Sequence, residues 1–185
     1  MKTIRNEMDM THGPLAGKIL RFAVPLALSS MLQQLFNAAD LAVVGRFTNP
    51  QAMAAVGSNA SVISLLISLF VGLSVGANVV VGNLIGAGRR EKLPDAVHTI
   101  IAVALISGVI LLAVGNAAAK PILLLMGAPE NVISLATIYL RIYFVGMPVI
   151  LIYNYGSAIL RSKGDSRRPF LALAAAGVVN VLLNL

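Results

Sequence analysis

Forty-two consecutive residues, Phe47 to Gly88, carry no charge, and no other feature limits the fold of this chain so sharply. Two further runs are nearly as bare. Phe22 to Gly45 holds Asp40 as its one formal charge, and Ala96 to Ala119, between Asp95 and Lys120, holds none. A helix rises about 1.5 Å per residue, so about 20 apolar residues cross a ~30 Å hydrocarbon core. Each run is long enough to span. Charged residues make up 11% of the chain and hydrophobic ones 58%, against about 25% charged in ordinary soluble domains. A mean hydropathy of +0.88 over the whole length cannot come from one buried core. The expected class is an all-α polytopic membrane protein.

Breaks in hydropathy place five helices, at about 16–45, 52–86, 96–119, 132–160 and 170–185, after a loose polar stretch at 1–12. Thr48-Asn49-Pro50 turns the chain after the first span. Arg89-Arg90-Glu91-Lys92 ends the second, and Pro121 to Pro129 reads as a short apolar connection. Gly164-Asp165 breaks the fourth span, and Pro169 suits the first turn of the next. The fifth is cut short at Leu185, so the chain is expected to be part of a longer protein. Gly72/Gly76 and Gly82/Gly86 have the small-xxx-small spacing that lets helix backbones approach closely. Tyr139 and Tyr143 read as interfacial aromatics. Arg141 and Glu130 fall in the first half of the fourth span, and Arg141 either snorkels to the surface or faces a wet interior.

The net charge of +7 sits in short clusters between apolar runs, as topology signals rather than a face for nucleic acid. Eleven basic residues (at 2, 5, 18, 21, 89, 90, 92, 161, 163, 167 and 168) lie on one side. Arg46 and Lys120 lie on the other, with Arg141 as a third candidate. That bias puts the N-terminus in the cytoplasm. There is no cysteine, hence no disulfide framework or thiolate metal site. No cleavable signal precedes the first span.

The polarity within the spans is ordered. Ser30, Gln33, Gln34, Asn37 and Asp40 fall at i, i+3, i+4, i+7 and i+10, a stripe about 120° wide on one helix. A spanning helix with one wet face turns it toward other helices or a water-filled cavity, which makes Asp40 a functional candidate. On the fifth span Asn180 and Asn184 are four apart and point the same way, with Gly177 leaving room beside them. A bundle joining these faces sets a carboxylate beside two amides, a site for H⁺ or for a small cation such as Na⁺. The competing reading of Asp40 is a solvated acid near the surface, six residues from Arg46, and that of the asparagines is interhelical glue. Pro25 removes a backbone donor and crowds the Arg21 carbonyl, bending the first helix or merely tilting its entry. There is no G-x-S-x-G, H-E-x-x-H or Walker A pattern, and two distant histidines make no metal site, so an enzyme is not expected.

Three stretches resemble the N-terminal part of the multidrug and toxic compound extrusion (MATE) family. They are RFAVPLALSSMLQQLFNAADLAVVGRF, GANVVVGNLIGAGRREK and YLRIYFVGMPVILIYNYGSAILRSKGDSRRPF, the last running into an Asn-xxx-Asn helix. The resemblance implies a twelve-helix antiporter of two six-helix lobes. This chain would supply helices one to five of the first lobe, within 13–185. It would export small organic, often cationic, compounds across the cytoplasmic membrane by alternating access, coupled to H⁺ or Na⁺, without a cofactor. Such a protein would be embedded in lipid and monomeric at full length. Asp40, Asn180 and Asn184 would bind the coupling cation, Pro25 would be the bend, and Gln33, Gln34 and Asn37 would line the cleft. Many members carry aspartate where this chain has Asn184, which leaves Na⁺ or a carboxylate elsewhere to serve in its place. The alternative is a lipid-linked oligosaccharide flippase of similar architecture, which calls for more cations in the cleft than Arg141 alone.

Overall fold

A computed structural model describes residues 15–184, with the backbone but not the side chains of Leu15 and Asn184. The stretch expected to be loose, 1–12, lies outside the described residues. Five helices follow one another: α1 (Leu15–Phe47), α2 (Pro50–Gly86), α3 (Leu93–Leu125), α4 (Ile133–Ser162) and α5 (Arg167–Asn184). A single 3₁₀ turn, Arg90–Lys92, precedes α3. The described residues contain no strand. Four of the helices, α1 to α4, are long and apolar enough to cross a membrane. The fifth, 18 residues opening on Arg167-Arg168-Pro169, is not among them. The short connections reverse direction at each step, so α1, α3 and α5 run one way and α2 and α4 the other.

Backbone groups in hydrocarbon must be satisfied within their own segment, so long apolar runs can only be helical. What ends them is local chemistry. Three helices close with a left-handed glycine: Gly88 (φ 72°) after α2, Gly127 (φ 72°) after α3 and Gly164 (φ 78°) after α4. At each one the next residue's N–H reaches back five residues: Arg89 to the Leu84 carbonyl at 2.9 Å, Ala128 to Leu123 and Asp165 to Leu160 at 3.0 Å. This double-bonded cap occupies carbonyls the helix leaves open, and only glycine takes the required φ without strain. At the start of α2, Asn49 Oδ1 accepts from the Ala52 N–H at 2.9 Å with Pro50 beginning the helix. At the start of α5, Asp165 Oδ1 accepts from the N–H groups of Arg167 and Arg168 at 3.1 Å. Both are caps of the Asx type.

Helix α4 is the hub. It packs along α3 and α2, while α1 packs chiefly on α5. One apolar cluster sits toward the α3–α4 connection and includes Val62, Leu123, Leu140, Phe144 and Met147. The second lies toward the basic loops and includes Phe70, Val81, Ile100, Leu151 and Tyr155. The outward faces stay apolar, as a lipid-facing surface requires: Leu65 is 71% exposed and Val149 70%.

Three expectations are corrected. Pro121 does not open a connection: α3 continues through it to Leu125. A proline inside a helix costs one hydrogen bond but is tolerated in membrane spans where neighbours re-satisfy the freed groups. Glu130 lies in the connection before α4, not within the helix. Finally, Gly72, Gly76, Gly82 and Gly86 have no neighbouring atoms where a Cβ would sit. The close approaches are at Gly108 against Pro148, Gly115 against the Phe144 ring, and Gly177 against the Phe36 ring.

Candidate functional site

The Phe36–Gly177 contact sets the geometry of the polar face. The Phe36 ring occupies the space a Cβ on residue 177 would need, so glycine there lets α5 close on α1. The two helices run in the same direction. Asp40 follows Phe36 by four residues and Asn180 follows Gly177 by three, about 6 Å and 4.5 Å further along. Asp40 and Asn180 therefore sit at one level of the α1–α5 packing, both half-buried. Asn184 ends α5 one turn beyond; its side chain lies outside the described residues.

The rest of the stripe is open. Helix α5 lies along its Asp40 edge and leaves Ser30, Gln33, Gln34 and Asn37 exposed. Asn37 Nδ2 donates to Gln34 Oε1 at 3.5 Å, and Ser30 Oγ to the Leu26 carbonyl at 3.3 Å. Pro25 lies two turns toward the N-terminus of α1 from Gln33, inside a helix assigned without interruption from Leu15 to Phe47. Ser29, buried, donates to the Pro25 carbonyl at 2.8 Å. Among the described residues no group of three metal-ligating side chains occurs, so a cation at Asp40 would draw its remaining ligands from amides and water.

One residue carries more than the sequence suggested. Asn59 of α2 escaped notice and is fully buried. Its Nδ2 donates to the Ala55 carbonyl at 2.8 Å and, across to α4, to the Ala136 carbonyl at 3.0 Å. Its place between Ala55 and Val62 on the apolar face of α2 could have revealed it. Arg141 is also settled. Two positions from Tyr139, it points to the opposite side of α4, where its Nε donates to the Asn116 carbonyl of α3 at 3.3 Å. It does not face Asp40.

The MatE family model matches residues 25–185. A probable multidrug resistance protein, YoeA of Bacillus subtilis, is 38% identical over 162 residues, covering 88% of this chain and 35% of its own. Among solved structures, a MOP superfamily transporter from Pyrococcus furiosus superposes with a TM-score of 0.90 at 29% identity. It covers 100% of this chain, which spans 40% of that protein; its authors report a binding pocket of reversed polarity that suggests a different function. A MATE crystal structure in a bent conformation, and another in a straight one, each match with a TM-score of 0.83 at 30% identity, covering 90% of this chain and 37% of theirs. The chain thus spans roughly two fifths or less of the proteins it matches. On the family match and the helical membrane architecture together, the chain belongs to the MatE family of multi-pass membrane transporters, which are not enzymes.

Proposed function

We propose that this chain forms most of the N-terminal lobe of a cation-coupled antiporter that exports drugs or other amphiphilic organic compounds by alternating access. The reading is supported above all by the pairing of α1 with α5 at Phe36 and Gly177, which fits Asp40 and Asn180 lying at one level of the two helices. Asp40 takes H⁺ or Na⁺, Asn180 and Asn184 complete the site, and Pro25 is where α1 changes shape. Gln33, Gln34 and Asn37, exposed along α1, line the path of the substrate. The bias of basic residues sets the N-terminus in the cytoplasm, in the cytoplasmic membrane, and a monomer suffices because both lobes belong to one chain.

Coupling requires that the two conformers bind the cation unequally, since equal affinity shifts nothing. A hundredfold difference, about 2.7 kcal/mol, turns a 10:1 preference into 1:10. One carboxylate on a helix weakened by proline is enough for that. The existence of bent and straight forms of a MATE relative fits such a two-state helix. Substrate charge does not follow from the fold, given the reversed pocket polarity reported for the Pyrococcus neighbour. The flippase alternative calls for cations in the cleft, and Arg141 faces α3 instead.

The test is efflux by the complete gene product under an imposed H⁺ or Na⁺ gradient. Asp40→Asn should insert and fold yet lose gradient-driven efflux to background. Wild-type efflux from that variant would remove Asp40 from the mechanism.

A further inference from the structure

Arg141 is a cation that nothing in the transport reading uses. It lies eight residues into α4, about 12 Å from the start of the helix. Thirty residues of α4 extend about 45 Å, some 15 Å more than a hydrocarbon core. With that excess shared between the ends, the Arg141 backbone sits just inside the core at the end opposite the basic loops. Side chains lean toward their helix N-terminus. For α4 that direction points out of the core, so the guanidinium rises to the headgroup level.

Its surroundings are one-sided. Arg141 is exposed on the face of α4 away from Tyr139, and its Nε donates to the Asn116 main-chain carbonyl at 3.3 Å. That carbonyl lies one residue before Ala117, whose own helical partner is removed by Pro121. The bond ties the exposed arginine to α3 through its Nε. One turn along α3 from Asn116, on the same face, is Lys120, also exposed. Among the described residues neither cation has a carboxylate partner. Glu130, in the adjoining connection, is exposed and makes no ion pair with either. An arginine whose guanidinium reaches the headgroup level with no carboxylate partner is placed to pair with a lipid anion.

We propose that Arg141 and Lys120 form a binding site for the phosphate of an anionic phospholipid, in the leaflet opposite the basic loops. The planar guanidinium takes two phosphate oxygens. The ammonium of Lys120 adds a point charge from above, and the acyl chains lie along the exposed apolar faces of α3 and α4. The proposal does not depend on the direction or cargo of transport.

Binding is read on the purified complete gene product. Native mass spectrometry counts retained phosphatidylglycerol, and thermal unfolding is followed while phosphatidylglycerol, phosphatidylcholine or inorganic phosphate is added. Wild type should retain one phosphatidylglycerol that Arg141→Gln loses, with apparent affinity falling at least about tenfold. Lys120→Gln should weaken it less. Arg141→Lys should keep the charge but release the lipid faster than wild type, and it carries the test with Lys120→Gln if Arg141→Gln fails to fold. Arg89→Gln and Arg90→Gln, at the far end, should leave this lipid in place. Unchanged retention in both Arg141→Lys and Lys120→Gln would overturn the assignment. So would equal stabilisation by phosphatidylcholine or by inorganic phosphate.

Discussion

Gly177 is a single missing Cβ that decides whether two helices meet. Because the Phe36 ring fills its space, Gly177→Leu should force α5 away from α1 at a cost of about 1–3 kcal/mol, the usual penalty for overpacking. Gly115, under the Phe144 ring, should behave alike. Gly72→Ala and Gly76→Ala meet open space and should be neutral, or stabilising by up to about 1 kcal/mol through helix propensity. Thermal unfolding of the four purified variants checks the ranking. All of these glycines are visible in the sequence, and Gly72 and Gly76 even have the favoured spacing. Which of them faces a neighbour depends on the rotation of each helix about its axis, which local spacing does not fix.

Helix ends were more legible than helix faces. Gly88, Gly127 and Gly164 mark their stops by type, and Asn49-Pro50 marks a start, because caps are built from residues adjacent in sequence. Pro121 is the exception. A proline followed by Gly127-Ala128-Pro129 looks like a loop, but α3 keeps its helix through it because packing on α4 and the Arg141 bond to Asn116 support the turns around it. The α4–α5 junction shows a cap doing more than stopping a helix. Asp165, 2% exposed, accepts from two backbone N–H groups and pairs with Arg168 Nε at 3.2 Å. Asp165→Ala should cost about 0.5–2 kcal/mol, as the loss of a good N-cap does, and should loosen α5. A lower unfolding temperature, with faster hydrogen exchange confined to the start of α5, is the expected result.

For the whole molecule the open question with the simplest test is orientation. These 185 residues contain no cysteine, so labelling at a single cysteine placed among them is read against the unsubstituted protein. Thr48→Cys, in the α1–α2 connection, should react with a membrane-impermeant maleimide on intact cells. Arg90→Cys, at the opposite end of α2, should react only after permeabilisation. The reverse pattern would invert the topology drawn from the basic residues. The bundle itself has two unequal parts: α2, α3 and α4 share a continuous core, while α1 and α5 pair beside it with fewer ties to α4. The helix pair bearing Asp40 and Asn180 is thus also the pair least bound to the rest, a reasonable place for a moving element.

The sequence alone determined that this protein is helical, where its spans lie and where most of them stop. Hydrocarbon leaves a long apolar segment no other way to satisfy its backbone, and that constraint acts within each segment. Tertiary structure decided which helices become partners, which glycines are occupied, and that Arg141 turns toward α3. In lipid, apolar side chains gain nothing by leaving their surroundings for each other, so helix pairing follows shape and a few polar contacts. Those depend on residues distant in sequence, and periodicity along one helix cannot name them.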